Sequence, residues 1–245
     1  MYRFSKLLWI VLAFPAFSAQ GKSLVLAVGW NKPPYIVAAE NAGYELDLVR
    51  LVLRQMGHEL DPVYVPFGRS ADLLLRGRVD LALTMNERLG IPSGQLSDVY
   101  IHYQNVAISL KSNDVDIKDV SGLRGHSIVA FQNASLLLGK EFSAVVDKSR
   151  GYVELPEQLN QVRMLLDNRT DIAVMDVNIF RYLASSLVED PLSMVDIHRV
   201  FAASEYRLGF HDPSLVKPFN QALKSFMQSE RHTELRQKYR FLSPE

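Results

Sequence analysis

One short stretch occurs twice in this chain: Leu75-Arg-Gly-Arg-Val-Asp-Leu-Ala-Leu83 and, 91 residues later, Leu166-Asp-Asn-Arg-Thr-Asp-Ile-Ala-Val174. Leucine, arginine, aspartate and alanine hold the same places in both copies. Each copy joins the end of a helical pattern to an apolar run that is typical of a buried strand. The repeat predicts two lobes of similar topology. A helix that ends in Gly or Asn before an apolar strand is common, so coincidence is the alternative explanation.

The sequence around both copies alternates between strand-like and helix-like patterns. In the first half we predict strands over 24–28, 63–67 and 79–84 and helices over 44–56 and 70–76. In the second half we predict strands over 127–131, 152–155 and 172–175 and helices over 135–142 and 157–167. Strands that alternate with helices indicate parallel sheets with right-handed crossovers.

The two halves need a connection, and two extended segments are candidates for it. Residues 97–110 lead from the first unit to the second, and a return is expected near 200–210. The last helices, 213–228 and 232–239, are expected to pack on the first lobe. The predicted fold class is α/β, with two similar lobes that each hold a parallel-rich sheet flanked by helices and are joined by a two-strand hinge. The expected domains are 20–103 with 209–245 for lobe 1 and 104–208 for lobe 2.

The N-terminus has the pattern of a secretory signal peptide over residues 1–19. Arg3 and Lys6 precede an apolar stretch over 7–14, and small residues suited to a signal peptidase follow. The apolar stretch is shorter than the roughly 20 residues that span a bilayer as a helix. We therefore expect an exported chain located in the periplasm.

Composition excludes several classes of function. The chain has 245 residues, 48% hydrophobic and 22% charged, which is typical of a folded globular protein. Its 27 basic and 27 acidic residues cancel, so no overall positive field favours nucleic acid or an anionic membrane. With no cysteine and six scattered histidines, no thiol chemistry and no structural zinc are expected. No cofactor is expected either.

Two positions stand just past the repeated strands. Met85 and Asp176 occupy equivalent places at the carboxyl ends of the strands that follow the two copies. Because open parallel sheets bind ligands outside those strand ends, both positions are expected to face the space between the lobes.

Several short motifs occur in an order that resembles the family 3 extracellular solute-binding proteins, the type II bilobed receptors that serve polar amino-acid transporters. The motifs, which cover nearly the whole chain after the signal, are Pro33-Pro-Tyr35, Gly43-Tyr-Glu-Leu-Asp-Leu48, Arg78-Val-Asp80, Ser97-Asp-Val-Tyr100, Leu123-Arg-Gly125 and Arg169-Thr-Asp171.

This resemblance implies roles for specific residues. Arg88, within Asn86-Glu-Arg88, matches the arginine that grips a ligand carboxylate with two parallel hydrogen bonds. The loop that contains Asn133 and Ser135 matches the helix start that assists that carboxylate. Asp176 stands where the family places the carboxylate that receives the ligand ammonium group. The segment from Asp80 to Arg88 is shorter than the family pattern.

Aromatic and spare basic residues complete the expected site. Tyr35 and Trp30 are expected to stack on the ligand, and Arg69, in another strand-end loop, is a further candidate for contact with an anion.

Structural interpretations of the same residues stay open. Arg88 fits a solvated loop charge, and Asp176 fits a cap for a helix that begins near Asn178. Ser135 fits an ordinary helix cap, and Tyr35 and Trp30 fit core packing. Glu45 and Asp47 lie in the first turn of a predicted helix, where negative side chains offset the helix dipole, so we assign both a structural role.

The sequence therefore favours a periplasmic solute-binding protein that closes two lobes over a small polar solute. The expected ligand is an amino acid or a related zwitterion or carboxylate, and the expected partner of the monomer is a membrane permease or a sensor kinase. The alternatives are a periplasmic dehydratase-like enzyme with Glu87 or Asp176 as proton donor, a ligand sensor, and a cleft that no longer binds a ligand.

Overall fold

A computed structural model of the chain describes residues 23–29, 31–66 and 68–241. The predicted signal peptide lies outside the described residues. Across the described ranges, ten strands form two five-stranded sheets, in the orders β2-β1-β3-β10-β4 and β7-β6-β8-β5-β9. Within the described part of the chain, no helix is long and apolar enough to cross a membrane.

The first lobe holds the first sheet. Its strands are β1 Ser23–Gly29, β2 Glu59–Val65, β3 Leu81–Met85, β4 Leu96–Tyr103 and, from the far end of the chain, β10 Ser204–Phe210. Its helices are α1 Tyr44–Gln55, α2 Arg69–Leu75, α7 Val216–Met227 and α8 Glu230–Lys238. Helices α7 and α8 pack on α1, as the sequence predicts.

The second lobe repeats this arrangement. Its strands are β5 Asn105–Leu110, β6 Ser127–Phe131, β7 Gly151–Leu155, β8 Ile172–Asp176 and β9 Val195–His198. Its helices are α3 Ala134–Leu137, α4 Lys140–Val146, α5 Gln158–Leu166 and α6 Val177–Ala184. The predicted α/β architecture of two similar lobes is confirmed.

In each sheet, three neighbouring strands are parallel. A fourth strand runs antiparallel between one of these three and the fifth strand. Strands β1, β2 and β3 are parallel, and β10 runs antiparallel between β3 and β4. Strands β6, β7 and β8 are parallel, and β5 runs antiparallel between β8 and β9. Because β4 and β5 are separated by one residue, the chain passes directly from one sheet into the other.

Two predicted elements differ from the observed ones. The strand expected over 63–67 is β2, which begins at Glu59 and includes Pro62. A proline is tolerated there because β2 lies at the edge of its sheet and needs no hydrogen bond on the open side. The helix expected over 135–142 is divided into α3 and α4 at Gly139, whose φ of 95° ends the first helix.

The return to the first lobe lies between β9 and β10. The sequence places that boundary after residue 208, whereas β10 pairs with β4 from Ser204 onward and with β3 from Arg207 onward. Sheet membership favours a boundary within 199–203.

Each sheet is covered on both faces by apolar side chains. In β1, Leu24, Leu26 and Val28 pack towards α1 and α7, and Ala27 packs in the cluster beneath α2. This alternation is the two-residue period of a strand buried on both faces.

Candidate functional site

The hinge strands meet at Gln104, the single residue between β4 and β5. Its side-chain Nε2 donates to the carbonyl of Phe201 in the second crossing, at 2.9 Å. Its backbone N–H donates to Asp176 Oδ2 at 2.8 Å, and its carbonyl accepts from the N–H of Val177. Gln104 thus joins both crossings to the end of β8.

Asp176, at the end of β8, is 2% exposed and surrounded by donors. One oxygen accepts from the backbone N–H groups of Asn178 and Ile179, which makes Asp176 the N-cap of α6. Burial raises the pKa of Asp176 to about 6, although these hydrogen bonds oppose the shift. The proposed cap is therefore present, and the same carboxylate also contacts the first lobe.

That contact comes from Tyr35. Its hydroxyl lies 3.0 Å from both oxygens of Asp176 and accepts from Asn178 Nδ2 at 3.2 Å. The Tyr35 ring stacks on Tyr103, with ring centroids 3.9 Å apart. Burial, together with the charge of Asp176, raises the Tyr35 pKa well above its ordinary value. A neutral phenol therefore hydrogen-bonds a carboxylate across the boundary between the lobes.

Local sequence explains how Tyr35 is positioned. It lies in a turn closed by two backbone hydrogen bonds between Lys32 and Ile36, each 2.9 Å long. The carbonyl of Tyr35 accepts from the N–H of Glu45 at the start of α1. Gly43 makes this approach possible, because a Cβ there would lie 2.2 Å from the Tyr35 carbonyl oxygen.

Glu45 is a site residue that sequence reasoning did not select. It is fully buried and accepts hydrogen bonds from the hydroxyls of Thr84, at 2.7 Å, Tyr103, at 2.7 Å, and Tyr100. Burial and the charge of Glu45 raise the pKa values of both tyrosines well above normal. Its contacts therefore extend well beyond compensation of the helix dipole. Asp47, by contrast, pairs with Arg50 and Lys238 on the outer side of α1.

Thr84 is held in a strained conformation at the end of β3. Its φ is 60°, in the left-handed region that a β-branched residue rarely adopts. Ala82 and Met85 pair with Gly209 and Arg207, so β3 contains an extra residue and forms a bulge. The bulge aims the Thr84 hydroxyl at Glu45. Strain of this kind is common at functional sites.

Lys32 adds a positive charge to the same cluster. Its Nζ lies 3.4 Å from Thr84 Oγ1 and 5.1 Å from the centre of the Tyr103 ring. Burial lowers the Lys32 pKa, and the charges of Glu45 and Asp176 oppose that shift. Lys32, Glu45, Thr84, Tyr35 and Asp176 are hereafter called the cleft cluster.

The other predicted residues of the first lobe lie around this cluster or outside the described chain. Arg88 is exposed on a short 3-10 turn, Glu87–Leu89, and within the described residues it shares no hydrogen bond or ion pair with Asp176. Asn86 is half-buried, and its Oδ1 has no hydrogen-bond partner among the residues described. Arg69 is exposed at the start of α2. Trp30 lies outside the described residues.

Arg88 is close enough to Tyr206 to act on it electrostatically. Burial and the charge of Glu45 raise the pKa of Tyr206, and the charge of Arg88 lowers it. Tyr206 in turn packs edge-on against Tyr103, with ring centroids 5.1 Å apart.

The predicted anion contacts of the second lobe bind a side chain of the protein itself. The backbone N–H groups of Asn133 and Ser135 and the Ser135 hydroxyl donate to the carboxylate of Glu154, at 2.6 to 2.9 Å. Tyr152 donates to the same carboxylate at 2.6 Å. At this helix start, the family resemblance implies the carboxylate of a ligand. The structure has the carboxylate of Glu154 bound there.

A two-lobed α/β fold with a buried polar cluster at the hinge defines a class of bilobed binding proteins. The family described as bacterial extracellular solute-binding proteins, family 3, matches residues 24–242. The chain belongs to this family. A search of curated proteins gives no match.

Solved structures with the same fold come from several kinds of protein. An arginine-bound substrate-binding protein of an amino-acid ABC transporter from Streptococcus pneumoniae is 18% identical, with a TM-score of 0.65 over 89% of this chain and 94% of that one. A histidine kinase sensor domain is 18% identical, with a TM-score of 0.69 over 90% and 96%. An ancestral amino-acid-binding protein, a precursor of cyclohexadienyl dehydratase, is 20% identical, with a TM-score of 0.68 over 89% and 95%.

Proposed function

We propose that this protein closes its two lobes over a small polar solute, an amino acid or a related zwitterion or carboxylate. The observation that carries the proposal is the hydrogen bond from Tyr35 of the first lobe to Asp176 of the second, next to the buried Glu45 and the half-buried Lys32. Apolar packing alone would hold two lobes together at lower cost, because buried charges lose their hydration. A polar cluster between lobes therefore favours ligand recognition.

The charges of the cleft cluster suit a ligand that carries an ammonium group. Glu45 and Asp176 contribute two negative charges against the single positive charge of Lys32. A ligand ammonium near Asp176 would offset the excess negative charge beside it, and opposite charges in a buried site attract strongly. This role for Asp176 matches the one that the family resemblance implies.

Calorimetric titration of ligand-free protein tests the proposal. The protein is unfolded, dialysed and refolded to remove any bound solute, then titrated with amino acids, small organic acids and polyamines. We expect one class to bind with one site per chain and Asp176→Asn to weaken binding by about 2–5 kcal/mol. Asp167→Asn, at an exposed carboxylate of the same lobe, is the matched control and should bind like the wild type. Lack of binding across the whole panel would refute the proposal.

A dehydratase is the second candidate, and one observation favours it. Asp176 is buried, and its pKa of about 6 suits a group that donates a proton near neutral pH. Glu87, the other predicted donor, is exposed. Turnover of prephenate or arogenate by the wild type, lost in Asp176→Asn and kept in Glu87→Gln, would establish this enzyme in place of the binding protein.

The family supports an extracellular location, and we propose the periplasm as the compartment and a membrane permease or a sensor kinase as the partner of the monomer. Cell fractionation tests the location. Recovery of the chain in the cytoplasm with residues 1–19 intact would contradict it.

A further inference from the structure

Lys32 brings a positive charge to the cleft cluster from a fixed piece of backbone. Its N–H and C=O are both hydrogen-bonded to Ile36, so the position of its Cα is well defined. Its ammonium lies above the Tyr103 ring and beside the Thr84 hydroxyl. This placement makes Lys32 a candidate for a direct ligand contact.

The ammonium of Lys32 has unused hydrogen-bonding capacity. It carries three N–H donors, and among the described residues its single hydrogen-bond acceptor is Thr84 Oγ1, at a long 3.4 Å. Lys32 is half-buried, so part of its side chain is out of contact with water, and donors that leave water without finding a partner are costly. An acceptor that pairs with the remaining N–H groups of Lys32 would therefore be stabilising. A carboxylate oxygen is the acceptor that forms the strongest hydrogen bonds with a cation.

The two carboxylates of the cluster do not fill that role. Glu45 is hydrogen-bonded by three hydroxyls, and Asp176 by the Tyr35 hydroxyl and three backbone N–H groups. Both accept from neutral donors, and among the described residues neither forms a hydrogen bond with Lys32. Their negative charges still favour the protonated form of Lys32, while its N–H groups stay available.

Arg88, the cation that the family resemblance selects, is less well placed for the same role. It is exposed, so water screens its charge, and exposed ion pairs contribute little. We infer that Lys32, rather than Arg88, is the residue that anchors the ligand carboxylate in this protein. This inference rests on the proposed function and deepens it by naming the residue that would select for a carboxylate.

The test compares each acid with its counterpart that lacks the α-carboxylate. The probes are L-arginine with agmatine, L-glutamine with 4-aminobutanamide, and L-glutamate with 4-aminobutanoate, each titrated by calorimetry. For a pair whose acid binds, the wild type should prefer the acid at least about tenfold. In Lys32→Met, which keeps the length of the side chain, that preference should fall below about threefold, because the charged partner is gone. Arg88→Met is the matched control and should change the preference by less than about twofold.

The ratio of affinities separates recognition from folding, since a general loss of stability weakens both members of a pair. If Lys32→Met does not fold, as judged by circular dichroism, Lys32→Gln is compared in its place. A preference that persists without the lysine, or that is lost only in Arg88→Met, would overturn the inference and leave the binding protein intact. Wild-type protein that binds only solutes without a carboxylate would overturn this inference alone, and wild-type protein that binds nothing in the whole titration panel would overturn it together with the proposed function.

Discussion

The two lobes share a scaffold and differ in the chemistry placed on it. In the first lobe, Asp80 accepts from the N–H of Val25 at 2.9 Å, and in the second, Asp171 accepts from the N–H of Ser127 at 2.7 Å. Both aspartates come from the repeated stretch. Asp80 lies just before β3 and is hydrogen-bonded to β1, and Asp171 lies just before β8 and is hydrogen-bonded to β6. The repeat thus has the same structural role twice.

The carboxyl ends of β3 and β8, by contrast, differ between the lobes. Strand β3 ends in the buried, apolar Met85, and β8 ends in the buried carboxylate of Asp176. The first lobe obtains its charges from other elements, Lys32 in a turn and Glu45 in α1. A duplicated fold therefore places the two strand ends in equivalent positions, and single residues decide which charges stand there.

The largest effect is expected from removal of the carboxylate that distinguishes β8 from β3. Asp176→Ala leaves the Tyr35 hydroxyl and the N–H groups of Gln104 and Asn178 without their acceptor. We expect the free energy of unfolding to fall by about 3–5 kcal/mol, measured by urea denaturation. Asp167→Ala, at an exposed position, should cost less than about 1 kcal/mol. Equal losses in the two variants would contradict the assigned role.

The pH dependence of stability gives the next largest effect. The folded pKa of Asp176, about 6, lies above its ordinary value of 3.8, so the folded chain holds this proton more tightly than the unfolded chain. The group therefore stabilises the protein fully below about pH 4, and this contribution is lost as the pH rises through about 6.

The comparison with Asp176→Asn isolates that contribution. Relative to this variant, the wild type should lose about 2 kcal/mol of unfolding free energy between pH 4 and pH 6.5, since each pKa unit corresponds to ~1.4 kcal/mol and this window covers most of the shift. Urea denaturation at several pH values measures the difference. A constant difference across this range would be evidence against a raised pKa.

Glu45 provides the corresponding test for the first lobe. In Glu45→Gln an amide N–H₂ group replaces an oxygen that accepts from tyrosine or threonine hydroxyls, so buried donors face each other. We expect a loss of about 2 kcal/mol in thermal or chemical unfolding. Glu40→Gln, at an exposed position just before α1, should stay within about 0.5 kcal/mol of the wild type. An unchanged free energy of unfolding in Glu45→Gln would contradict the stabilising role of these hydrogen bonds.

Much of the scaffold is readable from the sequence because its signals are local. The apolar runs of β1 and β6 and the helical spacing of α1 lie where they are predicted. The burial of Asp176 at a strand end also follows from its place in the repeat.

The cleft cluster is less readable because its partners are distant in sequence. An acid in the first turn of a helix is explained by the helix dipole alone, and the hydroxyls that surround Glu45 come from residues 55 and 58 positions away. Nothing in the run Leu81–Met85 signals the positive φ of Thr84, because threonine rarely adopts it. Sequence reasoning did not select Lys32 either, because a single lysine before two prolines carries no pattern that indicates a binding role.

The smallest expected effect tests the part that the lobes share. Asp80→Ala and Asp171→Ala each remove an acceptor for the backbone of the first strand, and each should cost roughly 1–2 kcal/mol in urea denaturation. Similar losses would support equivalent roles in the two lobes. A neutral result for one and a large loss for the other would show that the repeat is conserved in sequence only.

A crystal structure of the protein with the tightest-binding solute from the titration panel tests the central claim most directly. We predict one bound molecule between the lobes, with its ammonium group on Asp176 and its ring or chain against Tyr35 and Tyr103. A solute bound elsewhere, such as the outer cavity between α1 and α8 lined by Arg50 and Arg231, with the cleft cluster unchanged, would contradict the account.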